Sequence, residues 1–259
     1  MSMKIDYCYH THTYRCGHAS GKDEEYVLAA IESGIKVLGF TDHVMLPGYP
    51  QPGIRGDFAL LQDYIDSINS LKQKYKDKIE IHLGFECEYY PQFVDYYKEL
   101  KEKYGIEYLI LGQHCFINER NEFQWHMRSP TKENVDRYVY CLIKGMESGL
   151  FAYVAHPDLF ITAFDDWQLY MDEASERICE AAVKYNIPLE INLGRFNRGN
   201  MFFNHLMYPD LRFFRIAAKH GCKIIVGRDA HNPRHLLETH FDFATKIIED
   251  LKLQLISRI

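Results

Sequence analysis

The sequence predicts an α/β protein, with a parallel sheet covered by helices and closed or nearly closed as a βα barrel. Three observations lead there. Seven short apolar runs alternate with stretches of helical periodicity. The runs are nearly continuous in apolar character, as expected of strands buried on both faces. No linker, repeat or low-complexity segment breaks the alternation, so residues 1–259 read as one domain. An open doubly wound sheet is the alternative topology.

Ile5–His10 reads as the first strand. Lys22–Ser33 has helical spacing, acidic residues in its first turn and Gly34 as its stop. Val37–Asp42 is the second strand. The stretch 47–56 is rich in proline and glycine and reads as a loop. Asp57 can cap a helix from Phe58 to about Lys76, with Leu60, Leu61, Ile65, Ile68 and Leu71 on one face. Ile79–Phe85 is the third strand, followed by a helix from Pro91 to about Lys103. Tyr108–Gly112 is the fourth strand, and Asn118–Ser129 is polar and loop-like. Thr131 can cap a helix to about Ser148, before a short fifth strand at Tyr153–Ala155. A helix over about Asp172–Tyr185 leads to the sixth strand, Pro188–Asn192. Pro209 suits the first turn of a helix ending near His220. Lys223–Gly227 is the seventh strand, and the last helix runs from about Arg234 to Lys252.

Composition narrows the function. Hydrophobic residues make up 47% of the 259, enough for a sizeable core. A net charge of -6 without a basic stripe argues against broad nucleic-acid or membrane-surface binding. The seven cysteines are odd in number, dispersed and free of any CxxC pair, which reads as reduced thiols in a cytoplasmic protein. Neither an apolar leader nor a membrane-length apolar run is evident, so a soluble, intracellular protein is expected.

His10-Thr11-His12 closes the first predicted strand. Alternate strand residues share a face, so the two imidazoles can share one ion. Taken alone, the pair reads equally well as polar residues at a strand end. The remaining strands change that balance. His18 follows in the next loop, His43 ends the second strand and Glu86 the third. His114 ends the fourth, His156 the fifth and Asn192 the sixth, and Asp229 with His231 follows the seventh. Nearly every predicted strand thus delivers His, Asp or Glu at its C-terminal end, the face where barrel active sites sit. His82, His126, His205, His220, His235 and His240 fall elsewhere and read as surface or core-edge residues, with His235 and His240 on the last helix.

Six motifs in this order, His10-Thr11-His12, Thr41-Asp42-His43, Gly84-Phe85-Glu86, Gly112-Gln113-His114, His156-Pro157 and Asp229-Ala230-His231, resemble the PHP family of metal-dependent phosphoesterases over essentially the whole chain. The resemblance implies a distorted (βα)7 barrel with its active site at the C-terminal ends of the strands. It also implies three divalent transition-metal ions. One would take His10, His12, Glu86 and Asp229. A second would share Glu86 and add His114 and His156. The third would take His18, His43 and His231. Imidazole with carboxylate suits Zn, Fe or Mn. Cys16 and Cys115 read as small neighbours of ligands, Asp42 and Glu88 as orienting or solvated acids, and Asp158 as a cap or turn residue.

Such a centre implies phosphoester hydrolysis. Metal coordination lowers the pKa of water from roughly 15.7 to about 7, and a bridging hydroxide would attack phosphorus in line. Asp229, or a histidine beside it such as His231, would manage the proton, with Glu86 as the bridge. Arginine matches phosphate oxygens with its planar fork. The candidates are Arg195, Arg15, Arg198 and Arg228, and Arg195 is preferred because Gly194 permits close approach. Length and the Cys16-Gly17-His18 segment are similar to the stand-alone histidinol-phosphate phosphatases. That resemblance implies hydrolysis of L-histidinol phosphate in histidine biosynthesis. A small phosphate ester is the expected partner, and nucleic acid and membrane are not. The alternatives are a related enzyme acting on nucleotide, oligonucleotide or phosphotyrosine, and a non-catalytic metal-binding domain.

Overall fold

The computed structural model describes residues 5–120, 122–197, 206–237 and 241–259. Eight parallel strands form one curled sheet. Seven are those the sequence predicts: β1 (Tyr7–Cys8), β2 (Val37–His43), β3 (Glu80–Cys87), β4 (Tyr108–Leu111), β7 (Tyr153–Val154), β8 (Leu189–Asn192) and β9 (Lys223–Gly227). The eighth, β10 (Gln254–Leu255), pairs with the floor of β9 and was not legible in a two-residue segment. A second departure is the antiparallel hairpin of β5 (Cys115–Ile117) and β6 (Phe123–Trp125), where the sequence reads partly as loop.

The sheet closes at one end only. Thr11 bridges Ala230, with His12 N–H donating to Ala230 O at 2.8 Å and Ala230 N–H to His10 O at 3.1 Å. The ends of β1 and β9 therefore meet where the predicted ligands lie. At the other end β10 takes the place beside β9, and the Tyr7 hydroxyl donates to Ile256 O at 3.0 Å.

Strand β3 shows how the pleat divides labour. Ile81, Leu83, Phe85 and Cys87 are buried on one face, while Glu80, His82, Gly84 and Glu86 share the other. Midway along that inner face, Gly84 leaves room for the Tyr108 ring, whose hydroxyl donates to Tyr9 O at 2.8 Å. These side chains plug the barrel between its two ends.

The helices are α1 (Asp23–Glu32), α2 (Leu61–Tyr75), α3 (Val94–Glu102), α4 (Lys132–Glu147), α5 (Leu169–Lys184), α6 (Gly194–Asn197), α7 (Leu211–His220) and α8 (Phe241–Leu251). Thr131 caps α4 as its chemistry suggests, accepting from Asn134 N–H at 3.2 Å. Asp210 caps α7, so Pro209 precedes that helix instead of opening it. The last helix begins at Phe241, later than its periodicity implied, because Pro233–Leu236 forms a separate 3-10 turn capped by Asn232. Among the described residues, no helix is long and apolar enough to cross a membrane.

Candidate metal centre

Glu86, at the top of β3, is the hub. Its Oε1 lies 2.8 Å from His156 Nε2, 3.5 Å from His114 Nε2 and 3.5 Å from His10 Nε2. Its Oε2 lies 3.3 Å from His12 Nε2 and 3.1 Å from His43 Nδ1. Asp229 Oδ1 closes the group from β9, 3.6 Å from His10, 3.5 Å from His12 and 3.2 Å from His231 Nδ1. His231 Nε2 in turn lies 3.1 Å from His18 Nε2, at the exposed rim. All nine residues named as ligands from the sequence are thus brought together in one cluster.

Backbone geometry is bent to achieve this. His156 and Asp229 adopt left-handed φ values of 30° and 49°, unfavourable for residues with a Cβ and concentrated at functional positions. Close approach does the rest. A Cβ on Gly112 would collide with the Glu86 carboxylate, and one on Gly194 with that of Asp229. Gly194 therefore makes room for a ligand carboxylate, whereas the sequence suggested room for a substrate beside Arg195.

The positions of the ring protons decide whether these residues suit metal ions. The carbonyls of Cys16 and Asp229 only accept, so they fix Nδ1 as the protonated nitrogen of His18 and His231, at 3.1 and 3.0 Å. In the neutral rings, the Nε2 lone pairs then face each other. His43 Nδ1 and Glu86 Oε2 are buried and lack hydrogen-bond partners although 3.1 Å apart. Facing lone pairs and an orphaned buried acceptor pair call for a cation between them. Four groups offer ligand atoms within 4.8 Å of one another here: His10, His12 and Glu86; His43, Glu86 and His114; His12, His43 and His231; and His12, Cys16 and Asp42. The donor set fits divalent transition metals. His12 joins the group containing His231, and His43 faces Glu86, so the cluster is more shared than three separate ligand sets imply.

The electrostatics follow from this crowding. Burial pushes His10 down, but Glu190, Asp229 and Glu86 outweigh it and raise its pKa well above the ordinary histidine value. Burial, helped by neighbouring His231 and His43, holds His12 well below that value. Burial also depresses His43, more strongly than Glu86 lifts it. Burial raises Glu86, yet His114, His10 and His43 hold its carboxyl well below the usual range.

Outside the ring of ligands, the structure adds residues the sequence reading missed. Glu190, buried in β8, accepts from His10 Nδ1 at 2.9 Å and from His156 N–H at 3.0 Å. This fixes His10 Nε2 as the atom turned to Glu86. A lone carboxylate inside the apolar run Pro188–Asn192 was the available signal. Asp42 and Glu88 prove buried, so neither is a solvated acid. Asp42 accepts from the Thr13 N–H and hydroxyl, and Glu88 faces His114 Nδ1 at 3.3 Å. Cys16 Sγ sits 3.5 Å from His12 Nδ1, the side away from Glu86, and burial keeps it a thiol. Asp158 is buried and accepts from Asp210 N–H at 2.6 Å.

The arginines separate. Arg15 is buried, its guanidinium held by Asp23 at 2.8 Å and Asp63 at 2.7 Å. Arg228 donates to the carbonyls of His235 and Leu236 and lies over Phe241. Both are engaged within the fold, which corrects the expectation that they stand among the candidates for phosphate. Arg198 lies outside the described residues. Arg195, on α6, is half-buried against Phe196 and Phe243, at 4.7 and 5.6 Å from the ring centroids. Of the remaining histidines, His126 is fully buried and not at the surface, because Nδ1 meets Asn134 Oδ1 at 2.8 Å. His235 lies off the last helix and accepts from His231 N–H at 3.1 Å. His205 and His240 lie outside the described residues.

The PHP domain model matches residues 9–193. The chain belongs to the PHP domain family. It is 28% identical to a Deinococcus radiodurans protein named "Probable histidinol-phosphatase", covering 93% of this chain and 90% of that one. A Schizosaccharomyces pombe protein of the same name is 26% identical, covering 90% and 85%. The fold is shared with the Lactococcus lactis histidinol phosphate phosphatase, solved with Zn, L-histidinol and phosphate. The TM-score is 0.72 at 18% identity, covering 97% of this PHP chain and 95% of that one.

Proposed function

We propose that this PHP protein is a metal-dependent phosphomonoesterase that hydrolyses L-histidinol phosphate to L-histidinol and phosphate. One observation carries the reading: seven imidazoles gather with the carboxylates of Glu86 and Asp229 in one cluster at the closed end of the barrel, five of them facing Glu86 itself. The names of the full-length relatives support the substrate, as do the ligands of the Lactococcus lactis structure. Three divalent ions, Zn, Fe or Mn, would be held by His10, His12, Glu86 and Asp229; by Glu86, His114 and His156; and by His18, His43 and His231. When bound, such ions activate water and polarise phosphoryl oxygens.

The chain's own residues do the rest. Glu86 supplies the negative charge shared between sites. Asp229 Oδ1, 3.2 Å from His231 Nδ1, is placed to hold the proton that the leaving alkoxide needs. Arg195 has no hydrogen bond to a described carboxylate and so keeps its fork for phosphate. The 1–259 chain acts as one catalytic domain on a small cytoplasmic substrate.

A phosphate-release panel with elemental analysis tests this. The purified protein should carry close to three transition-metal ions per chain. It should turn over L-histidinol phosphate with higher kcat/KM than nitrophenyl phosphate, mononucleotides or phosphotyrosine. Comparable values across the panel would leave a general phosphoesterase, and a metal-free protein inactive on every ester would remove the enzyme reading.

A further inference from the structure

We propose that Arg55, acting through Glu88, is a positioning residue that fixes His114 toward Glu86 and keeps Glu88 out of the metal centre. This rests on the metal-centre reading above.

Arg55 enters from the proline- and glycine-rich loop after β2 and is 3% exposed. Each nitrogen of its guanidinium is engaged. Nε donates to Gln51 Oε1 at 2.6 Å, one terminal nitrogen to Val44 O at 2.9 Å, and the other to both Glu88 oxygens at 3.1 Å. Burying two charges is costly unless each is paired and fully hydrogen-bonded, so packing alone does not account for this pair.

What the pair touches gives it a purpose. His114 stands beyond the end of β4, before the hairpin, where no ladder of the parallel sheet constrains it. With Nδ1–H donating to Glu88 Oε1 at 3.3 Å, its Nε2 lone pair is turned to Glu86 Oε1 at 3.5 Å. Glu88 follows Glu86 on the same side of the chain, two residues on, and would be a competing carboxylate ligand if released. The two-pronged hold of Arg55 occupies both of its oxygens. Arg55 also binds the carbonyl of Val44, next to His43, so one side chain ties the segments that deliver His43 and His114.

The test is metal affinity, measured by elemental analysis on folded protein dialysed against graded free metal, with kcat and KM measured separately. Arg55→Met should weaken one metal site by about 10–100-fold. It should lose about one ion at limiting metal, and lower kcat with little change in KM. Arg55→Lys restores charge without the fork and should fall between. Because Arg55→Met leaves Glu88 buried and unpaired, the double change Arg55→Met with Glu88→Leu is the safeguard. It removes both charges and should fold, yet still show the weakened site. A double variant with wild-type metal affinity and kcat would overturn the proposal and leave Arg55 a fold staple. A metal-free wild type would overturn both readings. A metal-loaded wild type inactive on every phosphate ester would overturn only the proposed reaction, and the affinity loss would still support Arg55.

Discussion

Strand β3 carries a histidine–carboxylate cluster at each end, and the two differ in arithmetic. At the floor, His82 stands between two acids, Nδ1 2.8 Å from Glu107 and Nε2 2.8 Å from Glu80. Each nitrogen has its own carboxylate, and the Glu107 and Glu80 contacts outweigh burial to raise its pKa. Lys72 on Glu107 and Arg258 on Glu80 complete an ordinary ion-pair network. At the closed end, five imidazoles face the single carboxylate of Glu86, and all are buried or nearly so. Protons cannot satisfy that crowd, because each added charge repels its neighbours. Histidine beside carboxylate is therefore no evidence of a metal by itself. The excess of buried ring nitrogens over carboxylates is the discriminating feature.

Breaking the hub should have the largest effect. Glu86→Gln removes the shared charge, should reduce bound metal at two sites, and should cost more activity than the roughly hundredfold loss typical of outer contacts. Elemental analysis and phosphate release check this, with circular dichroism for folding. A fully metallated, active Glu86→Gln protein would show that the crowded cluster is not the site.

Arg195 sharpens the contrast between holding metal and using it. Arg195→Met should keep the full metal content but lose charge-assisted hydrogen bonds of about 1.5–3 kcal/mol each. That corresponds to roughly a ten- to hundredfold fall in kcat/KM. Unchanged kinetics would leave Arg195 a packing residue of α6 against Phe196 and Phe243.

The floor cluster should give the smallest effect. His82→Gln should lower Tm by about 1–3 °C, since exposed ion pairs contribute about 0.2–1 kcal/mol. The pH dependence has a definite sign. The folded-state pKa is raised, so the stabilisation is complete below the unfolded value near 6.5 and fades as pH climbs through the higher folded value. Thermal melts of wild type and variant should therefore converge at alkaline pH. The Tm losses from chelation and from His82→Gln should add, because the two clusters lie at opposite ends of the barrel. A non-additive result would mean that the ends communicate through the Tyr9 and Tyr108 layer.

The sequence alone marked seven of the eight strands of the parallel sheet and named, as candidate ligands, the nine residues that the structure gathers around Glu86. Both are local signals: a buried strand is an apolar run, and most of the candidate ligands stand at or just past the end of one. It separated His82 from His43 only by position along their strands, and could not show that His82 has a carboxylate for each ring nitrogen. Nor could it assign Arg15 or Arg228, whose carboxylate and carbonyl partners come from other segments. Glu190, Arg55 and the Glu88–His114 contact were decided by tertiary structure alone. Glu190 meets His10 from 180 positions away along the chain, and Arg55 meets Glu88 from 33. Which atom faces which depends on barrel closure at Thr11 and Ala230, where two distant strand ends are brought into hydrogen-bonding distance.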